Sequence, residues 1–90
     1  MEITKKIVQQ VLNDEDIEGL LELGAPEDEY CYEAEAISSR LRETEVNEDA
    51  ATEIIRSVWS KAFGPFTGED DELRSEAYRR TAQRILSLAA

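Results

Sequence analysis

From Ala51 the apolar residues Ile54, Ile55, Val58, Trp59, Ala62 and Phe63 recur at helical spacing, and Gly64-Pro65 then interrupts the pattern. Such a stripe can be buried only if the segment is an amphipathic helix whose face meets other elements. Asn47 supplies an N-cap, Val46 before it is placed to staple onto Ala51, and the glycine-proline pair is a helix stop. No stretch of the chain alternates apolar and polar residues for long enough to make a strand. The remaining segments must therefore find helical partners for this one.

Three do. Ile3, Ile7, Val8, Val11 and Leu12 form one stripe, and Asn13-Asp14 is its expected stop. Ile17, Leu20 and Leu21 fit a single short turn after Asp16, with Gly24 as a left-handed terminator. Pro26 marks a turn or the first position of the next helix, and Glu27, Asp28 and Glu29 occupy or precede its first turn, where the helix dipole favours acids. That helix carries Tyr30, Ala34, Ile37 and Leu41 inward and fades around Arg42–Thr44. The last helix opens at Thr67 or a few residues later, with Thr67-Gly68-Glu69-Asp70 as a loose capping box. Its expected buried face is Leu73, Ala77, Tyr78, Thr81, Ile85 and Leu88, and Glu76 precedes Arg80 at ion-pair spacing. The expectation is an all-α fold: a compact four-helix assembly with a short extra turn between the first and second long helices, forming a single domain over residues 1–90.

Charge is distributed unevenly. Between Lys6 and Arg40 lie ten acids and no cation: Asp14, Glu15, Asp16, Glu18, Glu22, Glu27, Asp28, Glu29, Glu33 and Glu35. Residues 47–90 nearly balance, and the whole chain carries a net charge of −11. A domain that needs only solubility can mix its signs at lower self-repulsion, so the run suggests a face for something positively charged. The same field repels DNA, RNA and anionic membranes. No apolar run approaches a bilayer-spanning length, no secretory signal is evident, and a lone cysteine, Cys31, fits the reducing cytoplasm.

Catalytic chemistry finds little material. There is no histidine, the commonest general base and metal ligand. Acids surround Cys31 in sequence, an environment that weakens a thiol as a nucleophile. Ser38, Ser39, Ser57 and Ser60 fall on helices without a base at hand, and no glycine-rich phosphate loop is present. Asp14, Asp16, Glu18 and Gly19 resemble the opening of a calcium loop, but the closing position holds Ala25 where a bidentate glutamate is required. The chain is therefore not expected to be an enzyme or to hold a metal or cofactor. Among the aromatic residues, Trp59 and Phe63 belong to the core, while Phe66 either folds back onto it or lies exposed. Tyr30 and Tyr32 cannot both face inward, and Tyr32 is the one expected outside.

Gly19-Leu20-Leu21-Glu22-Leu23-Gly24-Ala25-Pro26-Glu27-Asp28-Glu29-Tyr30, followed by Glu33 and Ile37, resembles the signature of a small bacterial helical family, the domain of unknown function 1871 family. The likeness covers roughly residues 1–65 and is concentrated in Gly24–Tyr30, a Gly-Ala-Pro-x-Asp-Glu-Tyr element. Members carry a Trp-Asp-Pro triplet that falls here on Glu15-Asp16-Ile17, of which only the aspartate matches, and Cys31 stands where Asp is frequent. The resemblance implies a small helical fold akin to acidic proteins found beside bacterial toxins. Helix-end rules account for much of the element without any partner: glycine ends one turn, proline starts the next, and acids favour its amino end.

The functional expectation is a cytoplasmic interaction module that binds a basic protein partner. Its sharpest form is an immunity protein or antitoxin covering the basic cleft of a toxin. The expected partner-binding residues are Asp16, Asp28, Glu29, Tyr30, Tyr32 and Glu33, with Asp16, Asp28 and Glu29 converging into an acidic pocket edged by Tyr30. Two alternatives stand beside it: a homodimeric assembly module, and an acidic mimic of nucleic acid.

Overall fold

The computed structural model describes residues 2–43 and 46–90. It contains four helices, α1 (Lys5–Glu15), α2 (Cys31–Arg42), α3 (Glu48–Phe63) and α4 (Glu69–Ala89), and no strand among the described residues. Each helix packs against its two neighbours in chain order and α4 closes on α1, so the four form a ring around one core. The principal extents are 32 × 29 × 18 Å.

The sequence explains most of the helix ends. Thr4 caps α1, its Oγ1 accepting from the Ile7 amide at 3.2 Å, and Asn47 caps α3, its Oδ1 accepting from Ala50 at 2.8 Å. α3 stops at Phe63, with the Gly64 amide donating to the Ser60 carbonyl at 2.8 Å. The Gly64-Pro65 peptide bond is cis. A Cβ on Gly64 would stand 2.6 Å from the Ser60 oxygen, so close backbone approach requires glycine there. Gly24, at φ 103°, is left-handed as expected.

Other expectations need correction. α1 continues past Asn13-Asp14 to Glu15, because Glu15 is held by arginines of α4; Asp16, at φ 42°, is the residue that ends it. α4 opens after Gly68 without a side-chain cap, so the Thr67 capping box does not form. Glu27, Asp28 and Glu29 precede α2 in a turn, the second of the two placements expected for them. α2 ends at Arg42, within the expected Arg42–Thr44, of which Thr44 falls outside the described residues.

The core holds Val8, Val11, Leu12, Tyr30, Ala34, Ile37, Leu41, Ala51, Ile55, Trp59, Tyr78, Ala82 and Ile85, all at most 1% exposed. Tyr30, Trp59 and Phe63 form an aromatic cluster with ring centroids 4.7–6.1 Å apart. Phe66 folds back against this core, and the Arg74 guanidinium stacks over its ring at 3.7 Å. Leu73 and Leu88, expected to be buried, are 71% and 50% exposed. Tyr78, Thr81 and Ile85 face inward as expected, and Ala82 and Ala89 complete the buried face in place of the two leucines.

Candidate functional site

The connection between α1 and α2 is organised by two acids. Asp16 lies in the left-handed region, which short polar side chains tolerate, and its carboxylate bridges back over the turn that follows. It accepts from the Leu21 amide at 3.1 Å, the Glu22 amide at 3.0 Å and the Tyr30 hydroxyl at 2.5 Å. Burial opposes its charge, but the tyrosine and the amides outweigh it, and its pKa lies below the ordinary carboxylate range. Burial and the neighbouring Asp16 carboxylate push the Tyr30 phenol well above its usual value.

Glu18 fastens the same connection to the helical ring. Its carboxylate takes Arg74 Nε and Nη2 at 2.8 Å each, and Trp59 Nε1 donates to Oε2 at 2.8 Å. The Arg74 guanidinium, aided by the Trp59 N–H, holds Glu18 below the usual carboxylate range against the effect of its burial.

Two more acids are neutralised from α4. Arg84 donates to Glu15 at 3.0 Å and Asp14 at 3.1 Å, while Arg80 donates to Glu15 at 2.8 Å. The expected partner of Arg80, Glu76, is therefore replaced by Glu15. Lys5 of α1 pairs with Glu35 at 3.5 Å. The three acids of the calcium-like stretch thus point to separate partners: Asp14 to Arg84, Asp16 to amides and Tyr30, and Glu18 to Arg74. Among the described residues no group of potential ligands is arranged to hold a metal ion.

Of the ten-acid run, Asp16 is held by hydrogen bonds alone, and five others, Glu22, Glu27, Asp28, Glu29 and Glu33, are likewise without an ion pair among the described residues. Four of them, Glu27 to Glu33, lie on the turn before α2 and on its first turn. That turn is held at both ends. The Glu27 carbonyl accepts from Asn13 Nδ2 at 3.0 Å and from Gln9 Nε2 at 3.5 Å, and the Tyr30 ring is fully buried. The side chains of Glu27, Asp28 and Glu29 are exposed, and Tyr32 stands 83% exposed beside them. Glu33 is half-buried; that burial, with the charge of Glu29, raises its pKa.

The expected acidic pocket is therefore not assembled. Asp16 turns inward to the connection, Tyr30 lies in the core, and Asp28 and Glu29 face solvent. Asp28 and Glu27 instead form one wall of an open groove of about 1070 Å³ whose other wall is α1, with Lys5, Lys6, Gln9 and Gln10. The sequence reading missed the role of Arg74, Arg80 and Arg84. Arg80 and Arg84 are four apart on one helix, a basic stripe that could have been matched to the acid run. No described helix is long and apolar enough to cross a membrane. Comparison with protein-family models, curated proteins and solved structures finds no match.

Proposed function

We propose that this chain is a cytoplasmic interaction protein that binds a basic protein partner through Glu27, Asp28, Glu29, Tyr32 and Glu33. Asp16 and Tyr30, also expected at the interface, serve it from beneath by fixing the turn that carries these side chains. One observation supports the reading above the others. Half of the ten-acid run is taken up by internal ion pairs or, for Asp16, hydrogen bonds, and most of what remains is contiguous, exposed and flanked by an exposed tyrosine. An acidic patch on a pre-formed turn speeds capture of a basic surface and adds little ordering cost. The sharpest form is an immunity protein or antitoxin covering a basic toxin cleft, the setting suggested by the likeness of Gly24–Tyr30 to the domain of unknown function 1871 family. No catalytic step belongs to this reading.

The test is affinity capture from the source cell at low salt, comparing the wild type with Asp28→Ala/Glu29→Ala. A stoichiometric basic partner, lost in the variant and released by salt, supports it. Salt-independent binding, or no basic partner with both proteins folded, overturns it. A partner that is itself a nucleic-acid-binding protein without toxicity would move the reading to a mimic of nucleic acid.

A further inference from the structure

A second surface lies between the outer sides of α2 and α3. It is a groove of about 320 Å³ lined by Tyr32, Glu33, Ala36 and Arg40 from α2 and Val58, Lys61 and Ala62 from α3. Its floor is made of small apolar side chains, and Tyr32 projects from its rim. Four cations of the chain, Lys6, Arg40, Arg42 and Lys61, make no ion pair with the described residues, and two of them line this groove. Arg40 reaches only to the Ser57 hydroxyl, at 3.3 Å. Glu33 sits seven residues before Arg40, on the same face of α2 and about 10 Å along its axis.

We propose that this groove binds a second copy of the chain, as a two-fold pair in which Tyr32 of each copy enters the Ala36–Val58–Ala62 floor of the other and Glu33 meets Arg40 and Lys61 across the axis. Three features point to a second copy. A knob and a hole side by side on one face satisfy each other only under a two-fold axis, as isologous interfaces require. The charges are self-complementary, with an acid at one end and unpaired cations towards the other. The third is the balance of the face: one carboxylate against two cations, on a chain that carries −11 overall. Two copies of so acidic a chain repel each other, and a lining with more cations than carboxylates lowers that repulsion here. The groove is small, so the pair is weak and concentration-dependent, in the range of transient interfaces. The inference does not depend on the basic-partner reading. The two share Tyr32 and Glu33, so a bound partner and a second copy exclude each other, but a strictly monomeric chain would leave the acidic turn intact.

Sedimentation equilibrium of the full chain tests the pairing, from about 10 µM to 1 mM protein at about 0.15 M salt, where the general repulsion is screened beyond about 8 Å. The mass is expected to rise from 10.2 kDa towards twice that value. Glu33→Lys alone and Arg40→Glu/Lys61→Glu alone should each remain monomeric, and Tyr32→Ala should weaken association at least tenfold. An equimolar mixture of the two charge-reversed variants restores opposite charges at both ends and should form the pair again, which misfolded variants could not do. A wild type that stays at 10.2 kDa throughout, or association indifferent to all three changes, overturns the proposal.

Discussion

Glu18 binds Arg74 through both carboxylate oxygens, at 2.8 Å each, across a separation of 56 residues. The same Oε2 accepts the Trp59 indole N–H, so one side chain ties the α1–α2 connection to both α3 and α4. Glu18 is 14% and Arg74 22% exposed in their side chains, so solvent screens this pair less than an ordinary surface pair. Glu18→Gln should cost about 1–3 kcal/mol in urea unfolding, since it leaves the guanidinium without its counter-charge. Arg74→Ala should cost a similar amount, and the double variant markedly less than the sum. Full additivity would mean that the pair contributes nothing to stability.

Acid should loosen the same connection. Asp16 and Glu18 both have folded-state pKa values below the ordinary carboxylate value, so the native state binds fewer protons than the unfolded chain. Their contribution is fully present above the unfolded pKa, about 4, and is lost as pH falls through the depressed folded values. Carboxylate NMR titrations should find both midpoints below the ordinary carboxylate range. Trp59 emission should change in step with Glu18, because that carboxylate accepts a hydrogen bond from the indole N–H. Midpoints in the ordinary range for both acids would contradict the observed geometry.

Two buried tyrosines should respond with opposite signs to loss of the hydroxyl. Tyr30 donates to Asp16, so Tyr30→Phe removes a charge-assisted bond and should cost about 1.5–3 kcal/mol. The Tyr78 hydroxyl is buried without a hydrogen-bond partner among the described residues, and burial pushes its pKa up to about 12. Tyr78→Phe removes a desolvated polar group and should gain up to about 1 kcal/mol. Thermal melts of the two variants, displaced in opposite directions from the wild type, are the expected result. Two destabilised variants would reveal a partner for Tyr78.

These predictions rest on contacts that are unevenly legible in the sequence. α3 could be read nearly to the residue, because Asn47, the apolar stripe and Gly64 are local signals that agree. On α4 the inward positions Tyr78, Thr81 and Ile85 are legible, but the exposure of Leu73 and Leu88 is not. Leu73 and Leu88 are its most apolar exposed positions, yet which side turns inward is decided by where α1 and α3 lie. The ring order of the helices was likewise invisible to periodicity. The acid run misled for the same reason: Arg74, Arg80 and Arg84 are distant in sequence, and no local pattern tells that Asp14, Glu15 and Glu18 belong to them. Tyr32 is legible as the outer tyrosine of its pair, because Tyr30 shares the spacing of Ala34, Ile37 and Leu41 and the two cannot both face inward.

The division of the acids into those that hold the fold and those that face outward can be measured as stability. Glu15→Gln removes the partner of two arginines and should destabilise by about 1 kcal/mol, since those arginines are partly solvated. Asp28→Asn and Glu29→Gln remove charges that lie beside other acids and make no ion pair among the described residues, so the melting temperature should hold or rise slightly. Glu33→Gln is the most informative. Its pKa is raised, so protonation favours the folded state, and that stability is present below the unfolded pKa and lost as pH rises through the folded value. At pH 7 the glutamate is therefore a cost, and the glutamine variant should be more stable by less than about 1 kcal/mol. Near pH 3, where both forms are neutral, the gain should vanish. A glutamate kept on this surface at a cost in stability is what a charge retained for binding would look like. A Glu33→Gln variant that loses stability at pH 7 would instead make Glu33 another internal tie, and the outward face would shrink to Glu27, Asp28, Glu29 and Tyr32.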